Sequence, residues 1–393
     1  MKMKPSGTEL IPLNIPTLSG REWKYVKDCF DTNWVSSVGS YVDRFEYMLA
    51  EWTGRDHAVA TVNGTAALHT ALLVAGIGEG DEVILPALTF IASGNAVRYT
   101  GAWPVFLDVS AETWQLDPVM VGQFLGNGCR KANGQLINKR TGRRVKAIMP
   151  VHILGHPVDM DPVMELAREY SLLVIEDAAE ALGALYKNKP AGTHGDIACF
   201  SFNGNKIITS GGGGMLVTDN LQWAQRARHI TTQAKADPVE YEHDETGFNY
   251  RLTNIQAAMG CAQMEVLEDY VQTKRAIAAR YSSALETVDG IVTMREASWA
   301  RSTFWMYTVL INEGQYGSDS RKLLSTLSDS GIMCRPLWQP LSRSPVFKGA
   351  HAEKIHVSED LYRKALSIPC SVGLTEMQQS RVIDVLRSGR LSR

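Results

Sequence analysis

Hydrophobic and polar positions in the first half of the chain alternate between a helical period and short apolar runs. Helical periods predict helices at residues 65–75, 90–99 and 161–170, and apolar runs predict strands at 83–86, 104–109, 172–175 and 198–202. Repeated strand–helix–strand units build a mostly parallel sheet with helices on both faces. The pattern therefore predicts an α/β fold that binds its ligands at the carboxyl ends of the strands.

A polar stretch interrupts this alternation. Residues 126–144 (GNGCRKANGQLINKRTGRR) carry turn signals at Asn133-Gly134 and Thr141-Gly142, just before the apolar run that starts at Val145. The stretch predicts a surface hairpin. Its basic residues could contact a phosphate, although such charges more often form a solvated face.

The second half of the chain follows a different pattern. A long helix is predicted to begin near Thr253, whose spacing from Gln256 matches a capping box, and to run past Tyr281. Strand-like runs at 290–294 and 306–311 and helical periods at 321–330 and 376–386 follow. We expect a large domain over residues 1–265 and a smaller α+β domain over 266–393.

Composition narrows the class of protein. A hydrophobic fraction of 45 %, a charged fraction of 21 % and a net charge of -2 are those of a soluble globular protein, and they favour no nucleic-acid partner. The six cysteines form no C-x-x-C pair, so we expect buried thiols in a reducing compartment and no metal site. No signal-peptide pattern or membrane-length apolar run occurs, which predicts a cytoplasmic protein.

Lys206 is the first candidate for chemistry. It stands in ACFSFNGNKIITSGGGGMLV (residues 198–217), just after a predicted strand. A lysine held near apolar strands can serve as the amine of a Schiff base, and the glycines at 211–214 let backbone pass close to a bulky ligand. Taken alone, a surface lysine beside a flexible turn explains the stretch more simply.

A carboxylate and a helix start are the next candidates. Asp177 ends the predicted strand in SLLVIEDAAEALGA, where it could pair with a ligand nitrogen or cap a following helix, and position alone leaves both interpretations open. Gly64 and Thr65 open the helix in VNGTAAL. Amides at a helix start suit a phosphate, although ordinary N-caps are commoner.

Together, in this order along the chain, these elements resemble the fold-type I pyridoxal-phosphate enzymes. More narrowly, the sequence resembles the DegT–StrS family of sugar aminotransferases over nearly its whole length. The resemblance is carried by DTNWVSSVG (31–39), NGTAALHTAL (63–72), GDEVILPALTF (80–90), EDAAEALGA (176–184), SFNGNKIITSGGGGM (201–215), GFNYRLTNIQAA (247–258) and RPLWQPL (335–341).

The resemblance implies pyridoxal 5'-phosphate as cofactor and assigns it a set of residues. Lys206 would carry the cofactor as a Schiff base and shuttle protons, Asp177 would hold the pyridine nitrogen, and Phe90 would stack on the ring. The implied catalytic residues are Lys206 and Asp177, and the implied cofactor-binding residues are Lys206, Asp177, Gly64, Thr65, Phe90, Glu180, Ser201 and Asn249.

Three positions need separate comment. Asn249 would reach the cofactor phosphate of a neighbouring subunit, as its counterpart does in homodimers of the family. Glu180 stands where many relatives have glutamine near the ring hydroxyl, and its role is open because a carboxylate beside a phenolate needs a proton or a cation. His152, in PVHILGHP, matches a common family position and is interpreted as a packing or supporting residue.

The substrate is implied by a narrower resemblance. The segments IPLNIPTLSG and DTNWVSSVG and the polar hairpin are similar to the bacillosamine and legionaminic-acid branch of glycan biosynthesis. That branch implies amination of carbon 4 of a UDP-linked 4-keto-6-deoxy-N-acetylglucosamine, with glutamate as donor and 2-oxoglutarate as by-product. Alternatives are a 3-keto sugar or a dTDP- or GDP-linked one. Candidate substrate contacts are Trp34, Ser36, Ser37, Arg335 and Trp338.

Two other functions occur on this fold and compete with transamination as interpretations of the sequence. Dehydratases of the family usually have histidine in place of the lysine, so Lys206 argues against sugar dehydration. A non-catalytic regulator on the same fold is the other rival, and the sequence contains no helix-turn-helix segment or basic tail to support it.

Overall fold

The computed structural model describes residues 9–237 and 239–388. Residues 1–8, which belong to the N-terminal stretch without a signal-peptide pattern, and residues 389–393 of the expected small domain lie outside these ranges. The helices are α1 (Arg21–Asp31), α2 (Ser40–Thr53), α3 (Gly64–Val74), α4 (Ile91–Tyr99), α5 (Pro118–Gln123), α6 (Met160–Tyr170), α7 (Leu221–Thr231), α8 (Asn254–Met264), α9 (Leu267–Leu285), α10 (Glu313–Tyr316), α11 (Ser320–Asp329), α12 (Val357–Lys364) and α13 (Glu376–Ser388).

The strands are β1 (His57–Thr61), β2 (Asp81–Pro86), β3 (Trp103–Leu107), β4 (Cys129–Ala132), β5 (Gln135–Asn138), β6 (Arg144–Ile148), β7 (Leu173–Asp177), β8 (Leu185–Tyr186), β9 (Lys189–Pro190), β10 (Ile197–Ser201), β11 (Gly214–Thr218), β12 (Lys235–Asp237), β13 (Glu242–His243), β14 (Ile291–Thr293), β15 (Ala300–Arg301), β16 (Tyr307–Ile311), β17 (His351–Ala352) and β18 (Ala365–Ile368). Within the described residues, ten of these strands form one sheet in the order β1-β11-β10-β7-β6-β2-β3-β17, in which β5 also pairs with β6 and β4 pairs with β5.

This large sheet is mostly parallel, as the sequence predicts. Neighbours from β10 through β7, β6, β2 and β3 to β17 run parallel, whereas β11 is antiparallel to both β10 and β1. From β2 the chain continues to β3 on one side and later returns to β6 on the other side of β2. Such a reversal of strand order opens a crevice at the carboxyl ends of the strands.

The strands of the large sheet are apolar because helices cover both of its faces. Every residue of β2 is buried. Its Val83 packs in one core with Leu72 of α3, whereas the next residue, Ile84, packs in another core with Val163 of α6. Successive side chains of a strand point to opposite faces, so these two cores lie on opposite sides of the sheet.

The polar insertion is a hairpin, as predicted. Strands β4 and β5 pair antiparallel across Asn133 and Gly134, whose φ angles of 50° and 73° suit a tight two-residue turn. Its residues do not line the candidate active site described below. Arg140 and Arg143 instead line a separate surface cleft beside His351.

The single long helix predicted from Thr253 is wrong, because α8 and α9 are separate helices. The break lies at Glu265 and Val266, and neither residue is a glycine or proline, the usual sequence signals for the end of a helix. The Glu265 carboxylate accepts hydrogen bonds from Tyr25 at 2.6 Å and Arg44 at 2.9 Å. Tertiary contacts with the N-terminal helices therefore accompany this break.

The C-terminal part contains a separate, antiparallel sheet, β14-β16-β18, which packs with α9, α11 and α13 in a core that also includes Ile11, Leu88 and Val151 from the first half of the chain. The expected boundary after residue 265 falls between α8 and α9, while β17 returns to pair with β3 of the large sheet. The division into two domains stays a prediction. All six cysteines are described, buried and unpaired. Among the described residues, no helix is both long and apolar enough to cross a membrane.

Candidate active site

A cavity of about 360 Å³ opens at the carboxyl ends of the parallel strands. This volume lies within the range of roughly 300–1,000 Å³ that is usual for small-molecule sites. The residues that line it are Asn63, Gly64, Thr65, Leu68, Thr89, Phe90, Ala92, Ser93, Val151, Asp177, Ala179, Glu180, Ser201, Asn203, Asn205, Lys206, Trp305 and Trp338. Most of the residues that the sequence singles out therefore share one cavity.

Asp177 supplies a buried carboxylate at the end of β7. Its Oδ2 accepts a hydrogen bond of 2.7 Å from the Ser93 hydroxyl, and its Oδ1 accepts one of 3.1 Å from the Ala179 N–H. Burial raises the pKa of Asp177, although these hydrogen bonds and the charge of Lys206 oppose the rise. The helix-cap alternative is wrong, because the residues after Asp177 form turns that lead into β8 and no helix begins there.

Lys206 follows β10 and points its amine toward a second buried carboxylate. Its Nζ lies 3.5 Å from Glu180 Oε1 and 4.2 Å from the centroid of the Trp305 ring. The other oxygen of Glu180 accepts a hydrogen bond of 2.8 Å from the Leu154 N–H. Burial raises the pKa of Glu180. Lys206 thus provides Glu180 with a cation, and burial favours a proton on Glu180.

The start of α3 forms the opposite wall of the cavity. Asn63 caps this helix by accepting a hydrogen bond of 2.8 Å from the Ala66 N–H. A Cβ at Gly64 would lie 2.8 Å from Ser201 Cβ, so the close approach of α3 to β10 requires glycine. Helix-start amides and a serine hydroxyl thus face one space, as phosphate binding requires.

The glycines after Lys206 act differently from the expectation. Residues 211–214 do not line the cavity, so they give no ligand a close backbone approach. Instead, a Cβ at Gly214 would lie 2.4 Å from the backbone of Asn63. The sequence could not reveal this, because the packing of β11 against the start of α3 joins segments about 150 residues apart.

Some predicted residues lie outside this cavity. Ser37 and Asn249 line a second cleft of about 860 Å³, together with Arg228 and Arg251. Asn254 of α8 holds the segment before Ser37, since it donates from Nδ2 to the Trp34 carbonyl at 2.7 Å and from its N–H to the Ser36 carbonyl at 2.6 Å.

Of the two predicted contacts in RPLWQPL, only Trp338 lines the cavity. Arg335 is exposed, and its guanidinium donates to the Cys334 carbonyl at 2.8 Å. The substrate roles of Trp34, Ser36, Ser37 and Arg335 stay predictions.

Ser93 and Trp305 are cavity residues with informative contacts that the sequence analysis did not single out. Ser93, three residues after Phe90 on the first turn of α4, hydrogen-bonds Asp177, and this helical spacing was a usable signal. Trp305, in STFWMYTV, lies beneath the Lys206 amine. No local sequence pattern indicates that Trp305 belongs to the site, because Trp305 lies in the C-terminal part of the chain and meets Lys206 only in the folded protein.

His152 and Glu176 form a buried pair beside the site. His152 Nε2 lies 2.9 Å from Glu176 Oε2, while its Nδ1 accepts a hydrogen bond from the Val158 N–H, so the ring proton sits on Nε2. Burial alone would raise the pKa of Glu176, but the hydrogen bonds from His152 and backbone amides lower it to about 2. Neither residue lines the cavity, which agrees with the interpretation of His152 as a supporting residue.

These groups fit pyridoxal phosphate. Asp177 has no cation within ion-pair distance in the described part of the chain. A protonated ring nitrogen would therefore give this buried carboxylate the ion-pair partner that the described residues do not supply. The start of α3 suits the phosphate, and the Lys206 amine suits a Schiff base.

Comparison with known proteins identifies the family. The sequence profile of the DegT/DnrJ/EryC1/StrS aminotransferase family matches residues 16–387. The chain belongs to this family. It is 42 % identical over 377 residues to GDP-perosamine synthase of Caulobacter vibrioides, covering 96 % of this chain and 97 % of that protein. It is 40 % identical over 380 residues to EpsN of Bacillus subtilis, by name a pyridoxal phosphate-dependent aminotransferase, covering 96 % and 95 %.

A solved structure agrees with the family assignment. The structure of DesV from S. venezuelae has a TM-score of 0.85 and 30 % sequence identity, over 97 % of this chain and 99 % of that one. The chain is thus a pyridoxal-phosphate-dependent sugar aminotransferase of fold type I, and the resemblance noted from its motifs is confirmed.

Proposed function

We propose that this sugar aminotransferase moves the amino group of glutamate to carbon 4 of a nucleotide-linked keto sugar and releases 2-oxoglutarate. The observation that carries the proposal is the convergence of Lys206, Asp177 and the start of α3 on one cavity. Bound pyridoxal phosphate supplies an electron sink for the carbanion that forms at the reacting carbon. The presence of Lys206 argues against dehydration, and an assembled catalytic cavity argues against a purely regulatory role.

Each ionisable residue that lines the cavity has a proposed task. Lys206 would bind the cofactor through Nζ and, once free, carry the proton at the reacting carbon. Asp177, oriented by Ser93, would keep the ring nitrogen protonated. Glu180 would face the ring hydroxyl, and burial, which raises the pKa of Glu180, favours the protonated carboxyl that a neighbouring phenolate requires.

The remaining contacts hold and orient the cofactor and the substrate. Gly64, Thr65 and Ser201 would bind the phosphate at the start of α3. Phe90 is half exposed at the cavity and would stack on the cofactor ring. Trp338, which also lines the cavity, would stack on a sugar or a base.

For the sugar, we propose UDP-4-keto-6-deoxy-N-acetylglucosamine. Support comes from the resemblance of the opening segment, of DTNWVSSVG and of the polar hairpin to the bacillosamine and legionaminic-acid branch. A GDP-linked keto sugar is the second candidate. It is favoured by the 42 % identity to a protein named GDP-perosamine synthase.

A substrate panel separates these candidates. The purified holoenzyme is incubated with glutamate and, in turn, with UDP-, GDP- and dTDP-linked 4-keto-6-deoxy sugars and a 3-keto sugar, and the product is detected by mass. We expect the aminated UDP-sugar alone. An aminated GDP-sugar alone would transfer the proposal to the second candidate, and efficient turnover of only the 3-keto sugar would contradict amination at carbon 4.

We further propose a cytoplasmic homodimer with shared active sites. Asn249 lines the second cleft, away from its own chain's Lys206, which supports a role in a neighbouring subunit's site. The large apolar side chains of Trp34, Val35 and Val38 are exposed near this cleft, as expected of a surface that a partner covers. The buried, unpaired cysteines support a reducing compartment.

A further inference from the structure

Lys274 is a fully buried lysine on α9, at 2 % exposure. Its Nζ donates to the Trp305 carbonyl at 2.8 Å and to Asn14 Oδ1 at 3.0 Å, and it lies 3.7 Å from Cys370 Sγ. Among the described residues, no carboxylate lies within ion-pair distance of this amine. Burial lowers the pKa of Lys274. A buried amine with neutral partners is costly to stability, so its presence calls for a reason other than packing.

Both oxygen partners of Lys274 reach the same backbone carbonyl. Asn14 donates from Nδ2 to the Asn205 carbonyl at 2.7 Å, and Trp305 donates from Nε1 to the same oxygen at 2.6 Å. Asn14 and Trp305 thus each accept from Lys274 and donate to Asn205. We call this closed ring of hydrogen bonds (Lys274, Asn14, Trp305 and Asn205) the Lys274 clamp.

The clamp fixes the peptide unit that carries Lys206. The carbonyl of Asn205 and the N–H of Lys206 belong to one planar peptide group. The clamp holds the carbonyl, and the Lys206 N–H donates to the Asn203 carbonyl at 2.9 Å, so the plane is held at both edges. The Trp305 ring also lies 4.2 Å from Lys206 Nζ.

We propose that Lys274 is a positioning residue that holds the Lys206 peptide and the Trp305 ring in place for catalysis. One amine is well suited to this task, because its three donors can bind acceptors from the N-terminal segment, the β16 entry and the β18 exit at once. Lys274 contacts neither the cavity nor Lys206 itself and acts through Asn14, Trp305 and Asn205. The proposal rests on the proposed role of Lys206.

Two variants break the clamp at different points. Lys274→Met keeps the length and apolar body of the side chain but removes all three donors. Asn14→Asp keeps an acceptor for Lys274, now as a carboxylate, and removes only the donor to Asn205. A structural role for Lys274 predicts that Asn14→Asp is harmless or stabilising, whereas a positioning role predicts a loss of rate.

Tyr281→Phe provides the matched control. Tyr281 is also buried on α9, and its hydroxyl donates to the Pro369 carbonyl at 2.9 Å, away from Lys206. The variant therefore removes one buried hydrogen bond from the same helix and leaves the clamp intact. Melting temperatures of all three variants show how much stability each loses.

The first readout is steady-state kinetics of the holoenzyme. We expect Lys274→Met and Asn14→Asp to lower kcat by about tenfold to a hundredfold, the range caused by small misplacements of a catalytic group, with little change in KM. Tyr281→Phe should keep the wild-type kcat.

The second readout needs no cofactor. Reductive methylation of the apoprotein, followed by mass analysis of the peptide that contains Lys206, measures the exposure and reactivity of that amine. We expect the rate at Lys206 to change severalfold in both clamp variants, whereas the rate in Tyr281→Phe should equal that of the wild type.

Wild-type kcat and wild-type methylation of Lys206 in Asn14→Asp would overturn the proposal, even if Lys274→Met failed to fold. The proposal would also be overturned if Tyr281→Phe lost as much kcat as the two clamp variants at the same loss of stability. If the wild-type holoenzyme itself turned over no keto sugar, the proposed function would fail, while the methylation comparison would still decide whether the clamp positions Lys206.

Discussion

At the scale of single residues, the chemistry depends on three ionisable groups that share one buried space. Lys206, Glu180 and Asp177 all line the cavity, and the single amine faces two carboxylates whose pKa values burial raises. Because one amine cannot pair closely with both carboxylates, a cationic ring nitrogen would give Asp177 a partner of its own. Removal of either the amine or the buried carboxylate should therefore affect cofactor binding and catalysis more than folding.

Lys206→Ala should abolish turnover and the covalent attachment of the cofactor, because no other amine lines the described cavity. The fold should survive, since Lys206 packs only at the cavity wall. Attachment is measured by the absorbance of the lysine-bound cofactor and its loss on borohydride reduction. Lys187→Ala, which removes an exposed lysine, is the control. Wild-type transamination by Lys206→Ala would refute the assignment.

Asp177→Asn should lower turnover by about a hundredfold or more, because an electrostatic partner of the developing charge is lost. In the apoprotein it should not lower the melting temperature at neutral pH. The pKa of Asp177 is raised in the folded protein, so its ionised form destabilises the fold. This penalty is absent below the unfolded pKa of about 3.9 and develops as the pH rises toward the folded pKa.

Melting curves of wild-type and Asp177→Asn apoprotein, at neutral pH and at a pH near 4, check whether ionised Asp177 destabilises the fold. Asp161→Asn is the control, and we expect it to lower the melting temperature at neutral pH. The hydrogen bond from Lys187 lowers the pKa of the exposed Asp161 carboxyl, so the ionised form of Asp161 stabilises the fold. A normal rate combined with a lower melting temperature in Asp177→Asn would mean that the carboxylate stabilises the fold and does not serve the cofactor.

At the scale of elements, the site depends on how closely a helix start approaches a strand end. The amides of α3 face the end of β10 because Gly64 has no side chain, and β11 comes close to Asn63 because Gly214 has none. Both contacts leave no room for a Cβ, so a single methyl group should displace the proposed phosphate site.

Gly64→Ala should weaken the binding of pyridoxal phosphate by about tenfold or more, because the new methyl group would meet Ser201 Cβ and shift the helix start. Alanine favours helix over glycine by roughly 1 kcal/mol, so a weaker helix cannot explain such a loss. Titration of apoprotein with cofactor measures the effect. Gly204→Ala, where a Cβ would meet nothing within 4 Å, is the control. Equal affinity in both variants would contradict the close-approach argument.

At the scale of the whole molecule, the predicted homodimer can be tested by complementation. Lys206 lines the cavity and Asn249 lines the second cleft of the same chain. If Asn249 serves the neighbouring subunit, a mixed dimer of Lys206→Ala and Asn249→Ala chains has one site with both changes and one site with neither.

Mixing equal amounts of the Lys206→Ala and Asn249→Ala proteins under conditions that exchange subunits should restore about a quarter of the wild-type activity. Half of the resulting dimers are mixed, and each mixed dimer has one intact site out of two. Turnover before and after exchange, with subunit mass measured in parallel, gives the answer. Mixed dimers without recovered activity would place Asn249 in the site of its own chain or outside both sites.

The sequence by itself determined the alternation of helices and strands that builds the parallel sheet. Predicted segments such as 161–170 and 83–86 fall within a few residues of α6 and β2, because hydrophobic period and turn residues are local signals. Lys206, Asp177, Gly64 and Thr65 meet for the same reason, since strand ends and helix starts of a parallel sheet converge at one edge.

Only the tertiary structure decided which distant segments complete this edge. Trp305 and the Lys274 clamp join the N-terminal segment, α9 and the C-terminal part to the turn of Lys206, across sequence separations of up to 260 residues. The break between α8 and α9 is likewise accompanied by side-chain contacts from Tyr25 and Arg44, and Gly214 approaches the remote backbone of Asn63. Such contacts leave no period or local motif in the sequence, because each depends on the packing of segments that the chain brings together only after folding.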